Sequence, residues 1–126
     1  MKKYLLCATF FILTTVIFCE AKPVIVFEQM VYDFGKVDQE SILRHTFIFK
    51  NKGKDTLIID RVNATCSCTG TLLSEREIAA GESGKLEIEL HTEDNTGEMT
   101  RTIKVYTNDP DNKIIKIVIK ATVTEK

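Results

Sequence analysis

Lys85-Leu86-Glu87-Ile88-Glu89-Leu90-His91 is the stretch whose reading decides the fold. Leu86, Ile88 and Leu90 fall on one side of an extended chain, and Lys85, Glu87, Glu89 and His91 on the other. A strand written this way has one buried and one wet face, as antiparallel sheets packed face to face require. The same period runs outward in both directions. Toward the C-terminus, Ile103 pairs with Val105, and Ile115, Ile117, Ile119, Ala121 and Val123 line one face of a last strand. Toward the N-terminus come Leu57 with Ile59, Phe47 with Phe49 in a strand over 42–51, Val31 to Val37, and a short run from Val24 to Phe27. Gly35 marks a bulge or bend in the strand from Val31 to Val37.

Turn chemistry separates the runs: Asn51-Lys52-Gly53-Lys54-Asp55, Ala79 to Gly84, and Asn108-Asp109-Pro110-Asp111-Asn112. Leu72 to Ile78 has room for a helical turn or two, and no long amphipathic helix is visible. About seven strands spaced in this way predict an all-β fold, a single immunoglobulin-like antiparallel β-sandwich. Phe47, Phe49, Ile88 and Ile117 are expected to be buried together.

The domain is expected to span residues 22–126, because the N-terminus reads as an export signal. Lys2 and Lys3 precede an apolar run from Tyr4 to Phe18, and Cys19-Glu20-Ala21 offers small residues three and one positions before a cut. The run is about 15 residues, short of the roughly 20 of a spanning helix. Residues 1–21 are therefore expected to be a signal peptide, leaving no membrane span and a periplasmic or extracellular protein. Lipid anchoring at Cys19 is the alternative, disfavoured by the bulky Phe18 before it. Removing 1–21 takes two Lys from 17 basic residues and one Glu from 18 acidic ones, leaving 15 and 17, a net charge of −2. With no basic excess to neutralise phosphates, nucleic acid is not the expected partner.

With these residues read, the chain resembles a known bacterial family. The motifs are Tyr32-Asp33-Phe34-Gly35-Lys36-Val37, His45 to Gly53, Leu57-Ile58-Ile59 through Val62, Cys66-Ser67-Cys68-Thr69, Gly81-Glu82-Ser83-Gly84 and Tyr106-Thr107-Asn108-Asp109. Their order, over residues from about 27 to 123, is similar to the family known as domain of unknown function 1573. The resemblance implies an exported protein with an immunoglobulin-like fold related to the hydin and major-sperm-protein type, and brings no settled activity. Ser67 stands where the family usually has Gly, which makes a sharp turn between the cysteines harder. Ala80 stands where Pro is usual.

Cys66 and Cys68 are the candidate site. In an extended segment their backbones would sit about 6.6 Å apart on one side, too far for the Cβ spacing of a disulfide. A bridge needs a tight turn. The options are a local disulfide, easily reduced; a clamp for a soft metal such as Cu(I), with His45, His91 or Met99 as a third ligand; a link to another chain; or two inert thiols. A domain of this length builds a core without staples, so the fold is not expected to need them. His45 reads as a hydrogen-bonded rim residue and His91 as a solvated one. Asp109 and Asp111 belong to a turn, and the oxygen-rich 93–97 loop lacks calcium-loop spacing. No catalytic motif or paired carboxylate stands out, and no catalytic residue or cofactor is assigned. The expectation is a non-catalytic cell-envelope module that binds a protein or envelope component. The alternative is a thiol protein that holds Cu(I) or exchanges disulfides through Cys66 and Cys68.

Overall fold

A computed structural model describes residues 21–126. The signal-peptide reading, Cys7 and Cys19 lie outside the described residues. Nine strands follow in order: β1 (Ile25–Phe27), β2 (Val31–Asp38), β3 (Ile42–Asn51), β4 (Leu57–Ala64), β5 (Thr69–Leu73), β6 (Glu77–Ile78), β7 (Ser83–His91), β8 (Gly97–Thr107) and β9 (Ile114–Thr124). They form two sheets, β1-β3-β7-β5 and β2-β9-β8-β4-β6. The expected sandwich is present, with β5 and β6 in addition to the seven strands read from the sequence. Both fall in or beside the segment given to a helical turn. β5 has little alternation to betray it, because its residues Gly70, Thr71 and Leu72 are all exposed at a sheet edge. One pair departs from the antiparallel rule: β2 runs parallel to β9. The cause is the short residue 28–30 link, which carries the chain from β1 in one sheet to β2 in the other without reversing it. The register of β2 slips between Asp33 and Lys36 at the predicted bulge, where Gly35 takes φ +75° and its N–H donates to Asp33 Oδ1 at 2.8 Å.

The inward faces meet as the alternation predicted. Phe47, Phe49, Leu86, Ile88, Leu90, Ile103, Val105, Ile117 and Ile119 are all essentially inaccessible, in one continuous core.

One pole of the sandwich is closed by two polar side chains that the sequence offered only as turn residues. Asn51 is fully buried; its Nδ2 donates to the carbonyls of Asp55 and Ile78, and its Oδ1 accepts from the N–H groups of Val24 and Gly53. Asp109, also fully buried, accepts from the N–H of Ile25 at 3.0 Å, the N–H of Asp111 at 2.9 Å and Asn112 Nδ2 at 3.2 Å. It thereby ties β1 to the β8–β9 hairpin. Burial pushes its carboxyl pKa up, but the donors outweigh that and leave it below the ordinary value. The sign of the pH effect follows. A depressed native pKa contributes stability above the unfolded-state value of about 3.9 and loses it as pH falls through the native pKa. Asp109→Asn turns one acceptor into a donor facing N–H groups and is expected to cost about 1.5–3 kcal/mol at pH 7. The gap from wild type should shrink below about pH 4. Urea unfolding of both proteins from pH 7 to pH 3 checks this; a gap that does not change with pH would show that shape, not charge, matters at Asp109.

Candidate functional site

The opposite pole carries the cysteines. β4 belongs to the five-stranded sheet and β5 to the four-stranded one, so residues 65–68 cross the end of the sandwich. Both ends of this crossing are clamped. The Thr65 N–H donates to the Thr102 carbonyl at 3.1 Å, the Thr102 N–H returns to Thr65 Oγ1 at 3.3 Å, and the His91 N–H donates to the Cys68 carbonyl at 2.9 Å. Between the clamps the chain makes a tight turn closed by the Thr69 N–H on the Cys66 carbonyl at 3.2 Å. The turn draws the two Cα atoms to 5.2 Å, and Cys66 and Cys68 form a disulfide. The requirement read from the sequence is therefore met by a turn rather than a strand. Ser67, at its exposed tip, is not among the residues of positive φ, so the turn does not call for glycine there. In the described chain the pair is bridged rather than free.

The two sulfurs have different surroundings. Cys68 packs against the edge of the core, and its Sγ takes the Nε–H of Arg101 at 3.4 Å, with Thr69 Oγ1 at 3.9 Å. Cys66 Sγ accepts the Cys68 N–H at 3.2 Å. Arg101 is the residue that reading by sequence missed. It lies on the inward period of β8 with Met99, Ile103 and Val105, all buried, so a guanidinium replaces an apolar side chain at the mouth of the sandwich. The signal was present as a charge interrupting that alternation. It is hidden because only Ile103 and Val105 mark this strand in the sequence, whereas β8 extends back to Gly97.

The other candidate ligands are not gathered around the sulfurs, and among the described residues no three His, Cys, Asp or Glu side chains form a metal-binding group. His45 stacks on Tyr32 at 3.6 Å between ring centroids, meets Phe47 edge-on and has Nε2 3.3 Å from Gln29 Oε1. Burial lowers its pKa. His45 is thus the half-buried rim residue expected. His91 is not simply solvated: its Nε2 lies 2.6 Å from Glu89 Oε1, while Arg44 Nε holds Oε2 at 2.9 Å. The hydrogen bonds from Arg44 and then from His91 hold the Glu89 carboxyl below its ordinary pKa. Met99 is in the core.

A second feature lies on the four-stranded sheet. β5 is its last strand, bonded only to β7. The His91–Cys68 bond sets the alternation of this ladder, which leaves the N–H and C=O of Thr71 and Leu73 directed away from β7. Leu72 is 66% exposed and forms one wall of a shallow groove with Thr46, Ile48, Lys85 and Glu87.

Among solved structures, the chain is similar to a protein of unknown function from Porphyromonas gingivalis W83, at 18% identity and TM-score 0.71 over 81% of this chain and 47% of that one. It is similar to the VesB protease of Vibrio cholerae, at 14% and 0.65 over 78% of this chain and 31% of that one. It is also similar to a PapD-like domain of human CEP192, at 8% and 0.65 over 83% and 88%. The chain thus spans under half of the Porphyromonas protein and under a third of the protease. At these identities the likeness is one of fold. No curated protein matches the sequence. The family model described as "Protein of unknown function (DUF1573)" matches residues 25–123, nearly the whole of the sandwich from β1 to β9, and the chain belongs to that family.

Proposed function

We propose that this protein is a non-catalytic, exported cell-envelope module that takes an extended segment of a partner protein onto the free edge of β5. The observation that carries the reading is that edge: outward-directed backbone groups at Thr71 and Leu73 beside an exposed leucine. Main-chain bonds along a sheet edge supply affinity for an added strand, and side-chain contacts beside it supply selectivity. Natural edges are usually blunted. β2, one of the two edges of the other sheet, carries a bulge, whereas β5 has neither lysine nor proline. The PapD-like likeness fits a binding role, and the basic-then-apolar N-terminus fits export.

The test uses the full chain in its native host. Intact mass is expected to show a mature protein beginning at Lys22; a species retaining residues 1–21 would remove export from the reading. A photo-crosslinking amino acid replacing Leu72 is expected to give one discrete adduct. Adding Thr71→Pro removes an N–H that the fold does not use, at a position where an edge strand tolerates proline. It is expected to abolish the adduct while leaving the melting temperature within a few degrees of wild type. An adduct that survives Thr71→Pro would overturn strand addition.

The Cys66–Cys68 bridge favours a second reading, disulfide exchange at the crossing from β4 to β5. Cu(I) binding by the reduced pair is the weaker form of that reading, because the His45 and His91 rings have other partners and Met99 is buried.

A further inference from the structure

We propose that the Cys66–Cys68 bridge is polarised. An incoming thiolate attacks Cys66, and Cys68 leaves as a thiolate held by Arg101. This rests on the exchange reading and assigns each sulfur its part in it. Three observations carry it. Both cysteines are half-buried, but of the two Cys68 is the one packed against the core, which leaves Cys66 the less enclosed side for a substrate's approach. The Arg101 Nε–H is already directed at Cys68 Sγ at 3.4 Å. Among the described residues no carboxylate forms an ion pair with Arg101, whose other hydrogen bond goes to the Thr100 carbonyl. Its charge is therefore available to an anion formed at Cys68.

The competing donor is the Cys68 N–H on Cys66 Sγ at 3.2 Å. It is a neutral amide, whereas hydrogen bonds from a charged donor are roughly twice as strong. A thiol beside an arginine has a lowered pKa, and the sulfur with the lower pKa leaves faster. His91 meets the turn through its backbone N–H on the Cys68 carbonyl, while its ring is engaged by Glu89. The preference thus comes from Arg101.

The substrate class is a protein or peptide dithiol. One of its thiolates attacks Cys66 Sγ; the new S–S bond joins donor to Cys66, and the old bond breaks to give the Cys68 thiolate. The donor's second thiolate then attacks its own first sulfur, forming the donor disulfide and releasing the Cys66 thiolate. Two electrons pass to the Cys66–Cys68 pair, the donor dithiol is oxidised, and the donor's two protons end on the two new thiols or in solvent.

The test takes oxidised full-length mature protein, adds excess reduced glutathione and quenches with acid at successive times. Fragment-ion mass spectrometry then locates the glutathione. The expected adduct is on Cys66 with Cys68 free. An adduct mainly on Cys68 overturns the polarity while leaving exchange intact. No adduct and no reduction, even with a dithiol in excess, overturns the exchange reading itself. Arg101→Gln is expected to slow adduct formation several-fold, because a leaving-group shift of about one pKa unit is only partly expressed in the transition state, with Arg101→Lys between it and wild type. In the reduced protein, Arg101→Gln should also reduce the alkylation rate of Cys68 at pH 7 more than that of Cys66. Equal rates in all three proteins would remove Arg101 from the proposal.

Discussion

Phe49→Ala is expected to lower the free energy of unfolding by about 3–5 kcal/mol, the range for truncating a fully buried aromatic. Phe49 is inaccessible, lies 5.2 Å from the Phe27 ring centroid and faces Gly84 across the β3–β7 ladder. The fit to Gly84 is close: a Cβ there would stand 2.5 Å from the Phe49 ring. Truncating Phe49 therefore empties a space that the rigid flanking strands are poorly able to refill, which puts the cost toward the upper part of that range. Glu87→Ala, on the outward face of β7, is expected to cost under about 0.5 kcal/mol. Urea unfolding of both variants is the measurement. Similar losses at the two positions would contradict the inward assignment of β3.

The accuracy of that assignment shows where the sequence is legible. β7 and β9 are written in period 2 over their whole lengths, so the face of every residue follows from the pattern once one sheet is packed on another. β5 is not legible in this way. It is a short edge strand whose pairing to β7 is set by tertiary contacts, and its exposed Gly70, Thr71 and Leu72 carry no alternation. Asn51 and Asp109 failed differently. Asn and Asp in turns ordinarily bond their own backbone, and nothing local says that Asp109 also reaches Ile25, a bond across 84 positions. For the candidate site, the two cysteines were legible as chemistry but not as geometry. Spacing shows that a bridge needs a turn, but not that clamps to Thr102 and His91 would hold one. Arg101 depends on the same long-range arrangement, since only the crossing from β4 to β5 brings Cys68 over β8.

Replacing both Cys66 and Cys68 by Ser is expected to abolish disulfide exchange while moving stability by less than about 2 kcal/mol. The bridge closes a loop of three residues, and chain entropy assigns so small a loop about 1.5 kcal/mol, well short of the roughly 3 kcal/mol of a 15-residue loop. The backbone bonds at the turn do not involve the sulfurs. The Thr69–Cys66 and His91–Cys68 bonds are between backbone groups, and among the described residues seventeen buried apolar side chains elsewhere form the core. Thermal unfolding of wild type and double mutant, each with and without reductant, separates the possibilities. The wild type in reductant and the double mutant should melt close together, a little below the oxidised wild type. A double mutant that fails to fold would make the bridge a structural staple. One that folds yet still oxidises a dithiol would sever the exchange chemistry from this pole of the sandwich. A disulfide that contributes little to folding, with a guanidinium against one of its sulfurs, is better suited to opening and closing than to holding the chain together.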